Sequence, residues 1–328
     1  MPNPKIITLV GPTASGKTAI GIALAKRFNS EVICVDSRTV FRDMDIGTAK
    51  PEGEWTEESI ETSGSIRQLF GSRRCLMVEG VPHWGIDLAD PDEDYNVSHF
   101  KPYAEERIRN IAGRGKLPIL VGGTGLWIDV LVDNLDLPEV KPDPKLRAEL
   151  EARHVDDLFA EYKRLDPDGA LVIDGHNPRR LVRAIEVCRL TGRPFSELRR
   201  KGDSRYDCLW IGLDVPQGEL HRRIEARVDR MIALGLVDEV RRLRSRYGYG
   251  APSMSGIGYR QVCAFLEGKR DLAEAIEDVK RDTRQYAKRQ MTWFKRRSDI
   301  RWVSDEAGAV AVVKGFFAGK QTENRPGG

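Results

Sequence analysis

The sequence has few cysteines and no long apolar run near its start. Its five cysteines are scattered over 328 residues without a Cys-x-x-Cys pair, which argues against a zinc finger and a disulfide framework and favours a reducing compartment. The first apolar run, residues 6–10, is too short for a signal peptide or a membrane span. We therefore expect a cytoplasmic protein that does not engage the membrane.

The chain also lacks a large excess of charge of either sign. Lys and Arg number 53 against 50 Asp and Glu, a net charge of +3 with His neutral. Any surface for nucleic acid must therefore be a local basic patch. The length of 328 residues exceeds that of a typical single domain, which predicts a large core with a smaller insertion.

The most informative segment is a glycine-rich loop at residues 11–18, called the phosphate loop below. It follows the apolar run 6–10, opens a helix-like stretch and matches the Gly-x-x-x-x-Gly-Lys-Thr spacing in full. Its backbone amides and the start of the helix would bind an anion, with Lys17 adding charge and Thr18 offering a hydroxyl to Mg²⁺. The loop predicts a diphosphate site, either in a nucleotide such as ATP or in a prenyl donor. Its members are Gly11, Pro12, Thr13, Ala14, Ser15, Gly16, Lys17 and Thr18.

Two further strand patterns end in polar or glycine-rich segments. The apolar run 31–35 is followed by Asp36 and Ser37, and the run 118–121 leads into a Gly-Gly-Thr-Gly turn that contains Thr124. Open α/β sheets bind their ligands at the carboxyl ends of the strands. Asp36 is therefore expected near the phosphate loop.

The overall pattern predicts an α/β fold with an inserted helical subdomain. Strand and helix patterns alternate through residue 135, as a parallel sheet with crossover helices requires, and a sheet strand returns at 208–213. We predict long basic helices at 217–246 and 271–297 and a last strand at 300–303. The expected organisation is a core of residues 1–136 and 206–316 with a surface insertion at 52–80, a helical insertion domain at 137–205 and a disordered tail at 317–328.

The motifs together carry a family resemblance. The chain resembles bacterial tRNA dimethylallyltransferases, the IPP transferase family, over most of its first 300 residues. The matching segments are residues 11–18, 36–37, 44–51, 81–83, 86–87, 122–126, 177–180, 183–187, 256–261, 286–290 and 293–294.

The resemblance implies a P-loop NTPase-like core and a specific reaction. A dimethylallyl group moves from dimethylallyl diphosphate to N6 of the adenosine 3′-adjacent to the anticodon, in tRNAs that read codons beginning with U. The implied partners are the donor and the anticodon stem-loop of tRNA, the implied cofactor is Mg²⁺, and the implied state is a monomer.

The chemistry requires a base and groups that stabilise the departing diphosphate. The adenine amino group is a poor nucleophile, so a carboxylate must remove its proton, and Asp36 is the candidate. The alternative for Asp36 is a Walker-type aspartate that holds a magnesium-bound water. The resemblance places a diphosphate-binding arginine in the helix after residue 217, where we favour Arg227 over Arg223.

The resemblance and the basic residues also indicate an RNA surface. Family position implies that Thr124 contacts tRNA near the target base and acts in catalysis, and that residues 36–39 and 256–261 contact the RNA. Arginines at a helix start capped by Asn177 would bind phosphates. The predicted tRNA-binding residues are Asp36, Ser37, Arg38, Thr39, Thr124, Arg179, Arg180, Arg183, Gly256, Gly258, Tyr259, Arg260 and Gln261.

Residues 280–301 form a basic segment that has two interpretations. Nine Lys or Arg stand against two Asp, interleaved with Tyr286, Trp293 and Phe294. Such a segment suits an RNA backbone and an exposed base. The heptad spacing of Val279, Tyr286 and Trp293 favours instead a core position for the aromatic residues.

The chain departs from its relatives in two places. The acidic excursion beginning at residue 52 is longer than usual and is interpreted as surface with an extra hairpin rather than a lid. In the segment 38–41, Arg-Thr-Val-Phe, relatives more often carry a Gln and a Tyr. Three other functions remain open: a small-molecule ATP-dependent kinase, a prenyltransferase acting on free adenine nucleotides, and a nonenzymatic RNA-binding module.

Overall fold

The computed structural model describes residues 3–57, 74–136, 138, 140–198, 201–248 and 250–319. Over this part the chain falls into two compact units, one of residues 1–128 with 206–328 and one of residues 129–205. The predicted tail beyond residue 319 and most of the predicted insertion, residues 58–73, lie outside the described residues.

The first unit contains one mostly parallel sheet. Among the described residues its strands are β1 Lys5–Val10, β2 Ser30–Val35, β3 Glu54–Glu57, β4 Arg74–Val78, β5 Val81–Trp84, β6 Leu117–Gly122, β7 Asp207–Leu213 and β8 Arg301–Val303, in the order β3-β4-β5-β2-β6-β1-β7-β8. From β5 to β8 every neighbouring pair is parallel. The predicted α/β fold class is confirmed.

Helices cover this sheet. They are α1 Lys17–Phe28, α2 Val97–Gly113, α3 Gly125–Val132, α9 Gln217–Ala233, α10 Leu236–Tyr247, α11 Tyr259–Leu266, α12 Leu272–Phe294 and α13 Glu306–Phe317. The central strands are almost entirely buried, and Ile7, Leu9 and Ile211 pack with Leu24 of α1 and Val313 of α13. Strands buried on both faces read as continuous apolar runs, which is why they were visible in the sequence.

The regular strand and helix alternation predicted through residue 135 is wrong between β2 and α2. Strands β3, β4 and β5 form an antiparallel meander at the sheet edge instead. Glu79 and Gly80 turn the chain between β4 and β5 with φ values of 49° and 79°. Two consecutive residues at positive φ form the tight turn whose twist matches an antiparallel hairpin, so no crossover helix is needed.

The long helix predicted at 217–246 is also interrupted. Helix α9 ends at Ala233 and α10 begins at Leu236. Gly235 lies between them with φ of 95°, a left-handed conformation that glycine adopts without steric cost. The break lets α9 and α10 present separate faces to the core.

The second unit is helical in its described part. It contains α4 Pro144–Glu151, α5 Val155–Leu165, α6 Pro167–Ala170, α7 Pro178–Thr191 and α8 Phe195–Leu198. Leu158, Tyr162, Leu181 and Ile185 are at most 1% exposed and form its core. The side chain of Asn177 caps α7 by accepting a hydrogen bond from the backbone N–H of Arg180, as its position in the sequence predicts.

Candidate active site

The candidate site lies where three adjacent strands end. Val10 of β1 and Val35 of β2 both pair with Gly122 of β6. The phosphate loop, Asp36 and the Gly-Gly-Thr turn therefore begin at one edge of the sheet. A Cβ on Gly122 would lie 2.1 Å from the carbonyl oxygen of Val35, so this close approach requires glycine.

The phosphate loop has the conformation of an anion cradle. Ala14 and Gly16 have φ values of 62° and 93°, and α1 begins directly after them at Lys17. The hydroxyl of Ser15 is buried and has no hydrogen-bond partner among the described residues. A buried hydroxyl without a partner is costly, and an oxyanion in the loop would satisfy it.

Lys17 folds back over the loop. Its Nζ donates hydrogen bonds to the carbonyl oxygens of Gly11 (2.9 Å) and Pro12 (2.6 Å). Burial, with a smaller contribution from the nearby Arg227, lowers the pKa of Lys17 to about 7, although Asp36 acts in the opposite direction. Near neutral pH the side chain of Lys17 is therefore close to its titration midpoint. A bound anion would favour its charged ammonium form.

Arg227 reaches the phosphate loop from α9. Its Nη1 donates to the hydroxyl of Thr13 (3.3 Å) and its Nη2 to the carbonyl oxygen of Thr48 (3.5 Å). Arg223, the alternative, pairs instead with Glu219 at 2.8 Å and has a side chain that is 46% exposed. The structure therefore brings Arg227, and not Arg223, to the loop.

Asp36 lies among cationic groups. Its Oδ1 accepts a hydrogen bond from the backbone N–H of Arg38 (2.8 Å), and its charge acts on Lys17, Arg38 and Arg227. Burial lowers the pKa of Arg38 and of Arg227, and Asp36 opposes that shift in each case. A carboxylate and several cations thus share one edge of the sheet.

Thr124 lies beside the segment that follows Asp36. Its Oγ1 accepts a hydrogen bond from the backbone N–H of Ser37 (3.2 Å) and lies 3.5 Å from the Ser37 hydroxyl. Tyr286 of α12 lies close to Thr124, and burial, with a contribution from Asp36, raises the pKa of this phenol to about 12. Asp36, Ser37, Thr124 and Tyr286 form one polar cluster.

Sequence reasoning missed two residues at this site. Tyr286 was considered only as a core or RNA-stacking residue, and Gln290 was part of a matching motif without a role. Gln290 contacts both the phosphate loop and the Gly-Gly-Thr turn. Tyr286 and Gln290 are four residues apart on a predicted helix, which indicates that they share a face of it. The spacing does not indicate which other segments that face contacts.

The remaining residues of the segment 36–39 are partly buried. Arg38 donates to the backbone carbonyl oxygen of Ser253 (3.3 Å). The hydroxyls of Thr39 and Ser253 are buried and have no hydrogen-bond partner in the part of the chain that the structure describes. Thr39 therefore follows Asp36 and Ser37 of the polar cluster along the chain, and its hydroxyl is still available to form a hydrogen bond.

The 256–261 turn is anchored to the core by two carboxylates. The hydroxyl of Tyr259, which is 1% exposed, donates to Glu239 (2.8 Å). Arg260 and Gln261 both donate to Asp282, at 2.6 and 2.8 Å. Tyr259 and Gln261 hold the turn in place, and Gly256 and Gly258 are buried with them, whereas Arg260 is exposed.

Glu239 extends this anchoring to the segment 44–51. Its carboxylate accepts hydrogen bonds from the backbone N–H groups of Asp45, Ile46 and Gly47 at 2.7–3.0 Å. A Cβ on Gly47 would lie 2.5 Å from the ring of Tyr259. The matching segments 44–51 and 256–261 are thus one packed assembly around Glu239.

The arginines of α7 in the second unit differ in their surroundings. Arg179 and Arg180 are exposed at the start of the helix. Arg183 donates to Glu186 (2.6 Å) and to the carbonyl oxygen of Val140 (3.0 Å), and Glu186 is fully buried. Arg183 therefore stabilises the unit, whereas the other two face solvent.

In the basic segment of α12, the aromatic residues pack inward as the heptad spacing indicated. Phe294 is fully buried, and Trp293 packs so closely on Gly125 that a Cβ there would lie 2.3 Å from the indole ring. Lys288 and Arg289 are exposed, and Arg289 lies over the ring of Tyr286. The helix thus offers cations outward and rings inward.

The oxygen donors near the loop fit a hard cation that is also bound by a diphosphate. Thr18 is exposed at the start of α1, and Asp36 supplies a carboxylate. Mg²⁺ prefers such oxygen ligands together with water and phosphate oxygens. No group of three or more His, Cys, Asp or Glu suited to a metal occurs within the described ranges.

The fold and the site define an α/β protein of the P-loop type with an anion cradle next to a carboxylate. In addition, no helix in the described part of the chain has the length and apolarity needed to cross a bilayer.

Comparison with known proteins identifies the family. The family model "IPP transferase" matches residues 71–297. A tRNA dimethylallyltransferase of Pelotomaculum thermopropionicum is 40% identical over 307 residues, which cover 92% of this chain and 91% of that protein. The chain belongs to the IPP transferase family and is a prenyltransferase of tRNA modification.

Solved structures agree with this assignment. The full-length tRNA isopentenylpyrophosphate transferase of Bacillus halodurans is 37% identical, with 96% of each chain covered and a TM-score of 0.66. A eukaryotic dimethylallyltransferase, described as acting on tRNA, is 28% identical, with 98% of this chain and 81% of that chain covered and a TM-score of 0.75. The resemblance found in the sequence is confirmed, and the kinase and nonenzymatic alternatives are set aside.

Proposed function

We propose that this enzyme transfers a dimethylallyl group from dimethylallyl diphosphate to N6 of the adenosine 3′-adjacent to the anticodon, in tRNAs that read codons beginning with U. The observation that carries the proposal is the placement of Asp36 beside a diphosphate cradle that contains Lys17 and Arg227. A base and a stabilised leaving group at one sheet edge are what alkyl transfer from a diphosphate to a weak nucleophile requires.

The donor would bind through its diphosphate. Amides of the phosphate loop other than that of Thr13, the unpartnered hydroxyl of Ser15 and the ammonium of Lys17 would bind this anion. Arg227, held by Thr13, adds a second cation where negative charge develops as the allylic C–O bond breaks. Preorganised donors aimed at a developing charge supply about 2.7–4 kcal/mol each in comparable sites.

Asp36 is the proposed general base. As the adenine N6 attacks the allylic carbon, its proton passes to the carboxylate, an assistance worth about 10²–10⁴ in rate. The hydrogen bond from the backbone N–H of Arg38 to Oδ1 orients the carboxylate and leaves Oδ2 for the substrate. The alternative role, holding a magnesium-bound water, is separated from this one by the single-turnover measurement described below.

Thr124 is proposed to position the target base. Its hydroxyl, bonded to Ser37 and close to Tyr286, lies on the same side as Asp36, and the glycines around it allow close approach of a ligand. An adenosine stacked in the anticodon loop must be turned out to present N6. Ser37, Arg38 and Thr39 would contact the RNA next to it.

Mg²⁺ is proposed as the cofactor, held by the Thr18 hydroxyl and the donor diphosphate. When bound it would neutralise charge on the departing diphosphate. The protein residues still bind the donor, orient it and accept the proton as described.

The tRNA would be held by local basic surfaces rather than by net charge. Arg179 and Arg180 in the second unit and Lys288 and Arg289 on α12 are exposed cations suited to phosphates. Arg260, the exposed arginine of the 256–261 turn, is proposed to contact the RNA near the site. Because all proposed catalytic groups come from one chain, we propose that the enzyme acts as a cytoplasmic monomer.

The decisive experiment combines purified protein, Mg²⁺, dimethylallyl diphosphate and unmodified tRNA, followed by nuclease digestion and mass spectrometry of the nucleosides. We expect an adenosine heavier by one dimethylallyl unit, located next to the anticodon. Modification of free adenosine monophosphate at a comparable rate, or consumption of ATP without change to the tRNA, would contradict the proposal.

The variant Asp36→Asn tests the base. Asn keeps the acceptor for the Arg38 N–H but cannot take a proton, so single-turnover rates should fall by about 10²–10⁴ while donor and tRNA still bind. Asp94→Asn, at an exposed position, is the matched control and should behave as the wild type. A near-normal single-turnover rate for Asp36→Asn would remove Asp36 as the base.

A further inference from the structure

One buried amide connects the two halves of the site. Gln290 of α12 is 5% exposed, and its Oε1 accepts a hydrogen bond from the backbone N–H of Thr13 at 2.7 Å. Its Nε2 donates to the carbonyl oxygen of Gly123 at 2.8 Å. The phosphate loop after β1 and the Gly-Gly-Thr turn after β6 are therefore joined by a single side chain from a third element.

The side chain of Gln290 packs closely against the Gly-Gly-Thr turn. A Cβ on Gly123 would lie 2.3 Å from Nε2 of Gln290. Four residues earlier Tyr286 lies close to Thr124, and three residues later Trp293 packs on Gly125. One face of α12 thus meets three consecutive residues of the turn.

Gln290 also determines the contact that the backbone N–H of Thr13 makes. Its Oε1 accepts a hydrogen bond from the backbone N–H of Thr13, so this N–H points towards α12. The hydroxyl of the same residue accepts from Arg227. Gln290 therefore holds Thr13 in place, and Thr13 is the residue of the phosphate loop that Arg227 contacts.

We propose that Gln290 is a positioning residue that sets the distance between the diphosphate cradle and the cluster of Asp36 and Thr124. This inference rests on the proposed function, in which the cradle holds the donor and the cluster holds the acceptor. Transfer requires the two reacting atoms within a narrow distance and angle, and a misplacement of about 1 Å can cost on the order of 10²-fold in rate. An amide that donates to one loop and accepts from the other holds both in register.

Two substitutions separate positioning from simple packing. Gln290→Leu removes both hydrogen bonds at nearly constant volume, and kcat should fall about 10–100-fold at every pH. Gln290→Glu keeps the acceptor for Thr13 but donates to Gly123 only when its carboxyl group is protonated. Its kcat relative to the wild type should therefore be close to one at low pH and fall as the pH rises through the pKa of the introduced carboxyl group.

The wild-type profile serves as the reference because other groups around the two loops titrate or carry charge. These are Lys17 at the phosphate loop, Asp36 after β2, Arg227 of α9 and Tyr286 of α12. Dividing each variant's kcat by that of the wild type at the same pH removes their contribution. Gln285→Glu, an exposed position on the same helix, is the matched control and should give a flat ratio near one.

The loss should fall on kcat rather than on donor binding. The ammonium of Lys17 and the loop amides other than that of Thr13 are unchanged in the variants. The Kd for inorganic pyrophosphate, measured by calorimetry, should therefore change much less than kcat. A flat ratio for Gln290→Glu, or a wild-type kcat for Gln290→Leu, would overturn the proposal. A loss confined to pyrophosphate binding would do so as well.

The outcomes also separate this inference from the proposed function. If the wild type does not modify tRNA, the function itself fails. If the wild type modifies tRNA but the Gln290→Glu ratio does not depend on pH, only the positioning role fails. Should Gln290→Leu fold poorly in a thermal melt, the pH dependence of Gln290→Glu still decides the question.

Discussion

The guanidinium of Arg227 lies 3.3 Å from the hydroxyl of Thr13, a hydrogen bond that joins α9 to the phosphate loop across 214 residues of chain. Arg223, one turn earlier, is held away from the loop by Glu219. A single helical turn therefore separates an arginine at the donor cradle from one at the surface.

Arg227→Gln should reduce kcat by about 10²–10³, because it removes a preorganised donor to the departing diphosphate. Arg223→Gln, the matched control, should stay within about twofold of the wild type, since exposed ion pairs contribute little. Steady-state kinetics with tRNA and dimethylallyl diphosphate measure both. Equal losses in the two variants would contradict the assignment of Arg227.

Donor binding should weaken as the pH rises above about 7. The pKa of Lys17 is lowered to about 7 in the free protein, so the side chain is increasingly neutral above that value. A bound diphosphate favours the ammonium, so binding raises the pKa of Lys17 and takes up a proton at pH 8. Below pH 7 the lysine is already charged and its contribution to the pH dependence levels off.

Calorimetry at pH 8 in two buffers of different ionisation enthalpy measures that proton. The wild type should take up part of a proton on binding dimethylallyl diphosphate. Lys17→Gln should bind more weakly and lose this uptake, and Lys26→Gln, on the exposed side of the same helix, should retain it. Equal proton uptake by the wild type and Lys17→Gln would contradict the role of Lys17.

The arginines of α7 should separate into an RNA-binding pair and a structural residue. The double variant Arg179→Gln with Arg180→Gln should bind tRNA more weakly and reduce the slope of log K against log salt by about 1–2, without change in Tm. Arg183→Gln should instead lower Tm, since the buried Glu186 loses one of its arginine partners. Filter binding over a salt series and thermal melts give the two readouts. A reversed pattern would contradict the division.

Glu31 should contribute to stability from the opposite end of β2. It is 1% exposed and accepts hydrogen bonds from Lys116 (2.9 Å), Trp84 (2.9 Å) and Arg114 (2.8 Å). Burial alone would raise the pKa of Glu31, but these hydrogen bonds lower it from 4.5 to about 2. Its contribution is therefore complete above about pH 4.5 and is lost as the pH falls towards 2.

Glu31→Gln should lower the free energy of unfolding by about 1–3 kcal/mol at pH 7, less than for a fully buried pair because its cationic partners reach solvent. The difference from the wild type should shrink below pH 4.5. Glu79→Gln, which breaks an exposed pair with Lys26, should change the free energy by no more than about 1 kcal/mol. Urea unfolding at several pH values tests this, and a pH-independent difference would contradict it.

Much of the donor side of the site could be predicted from the sequence. The phosphate loop, Asp36 and Thr124 each follow a buried parallel strand, and the ends of such strands share one edge of the sheet. The contiguous apolar runs identified the strands themselves. Of the antiparallel meander of β3, β4 and β5, only an extra hairpin in the acidic excursion was predicted, because the short edge strands lack that continuous pattern.

Local sequence by itself thus determined the class of fold, the anion cradle and the residues placed directly at strand ends, since those depend on backbone conformation over a few residues. Only the tertiary structure decided which arginine of α9 reaches Thr13, and that Gln290 joins Thr13 to Gly123 across 277 and 167 residues of chain. Such contacts depend on the rotation and distance of helices packed on the sheet. Those quantities are determined by the packing of the whole core and leave no periodic signal in the segments that make the contact.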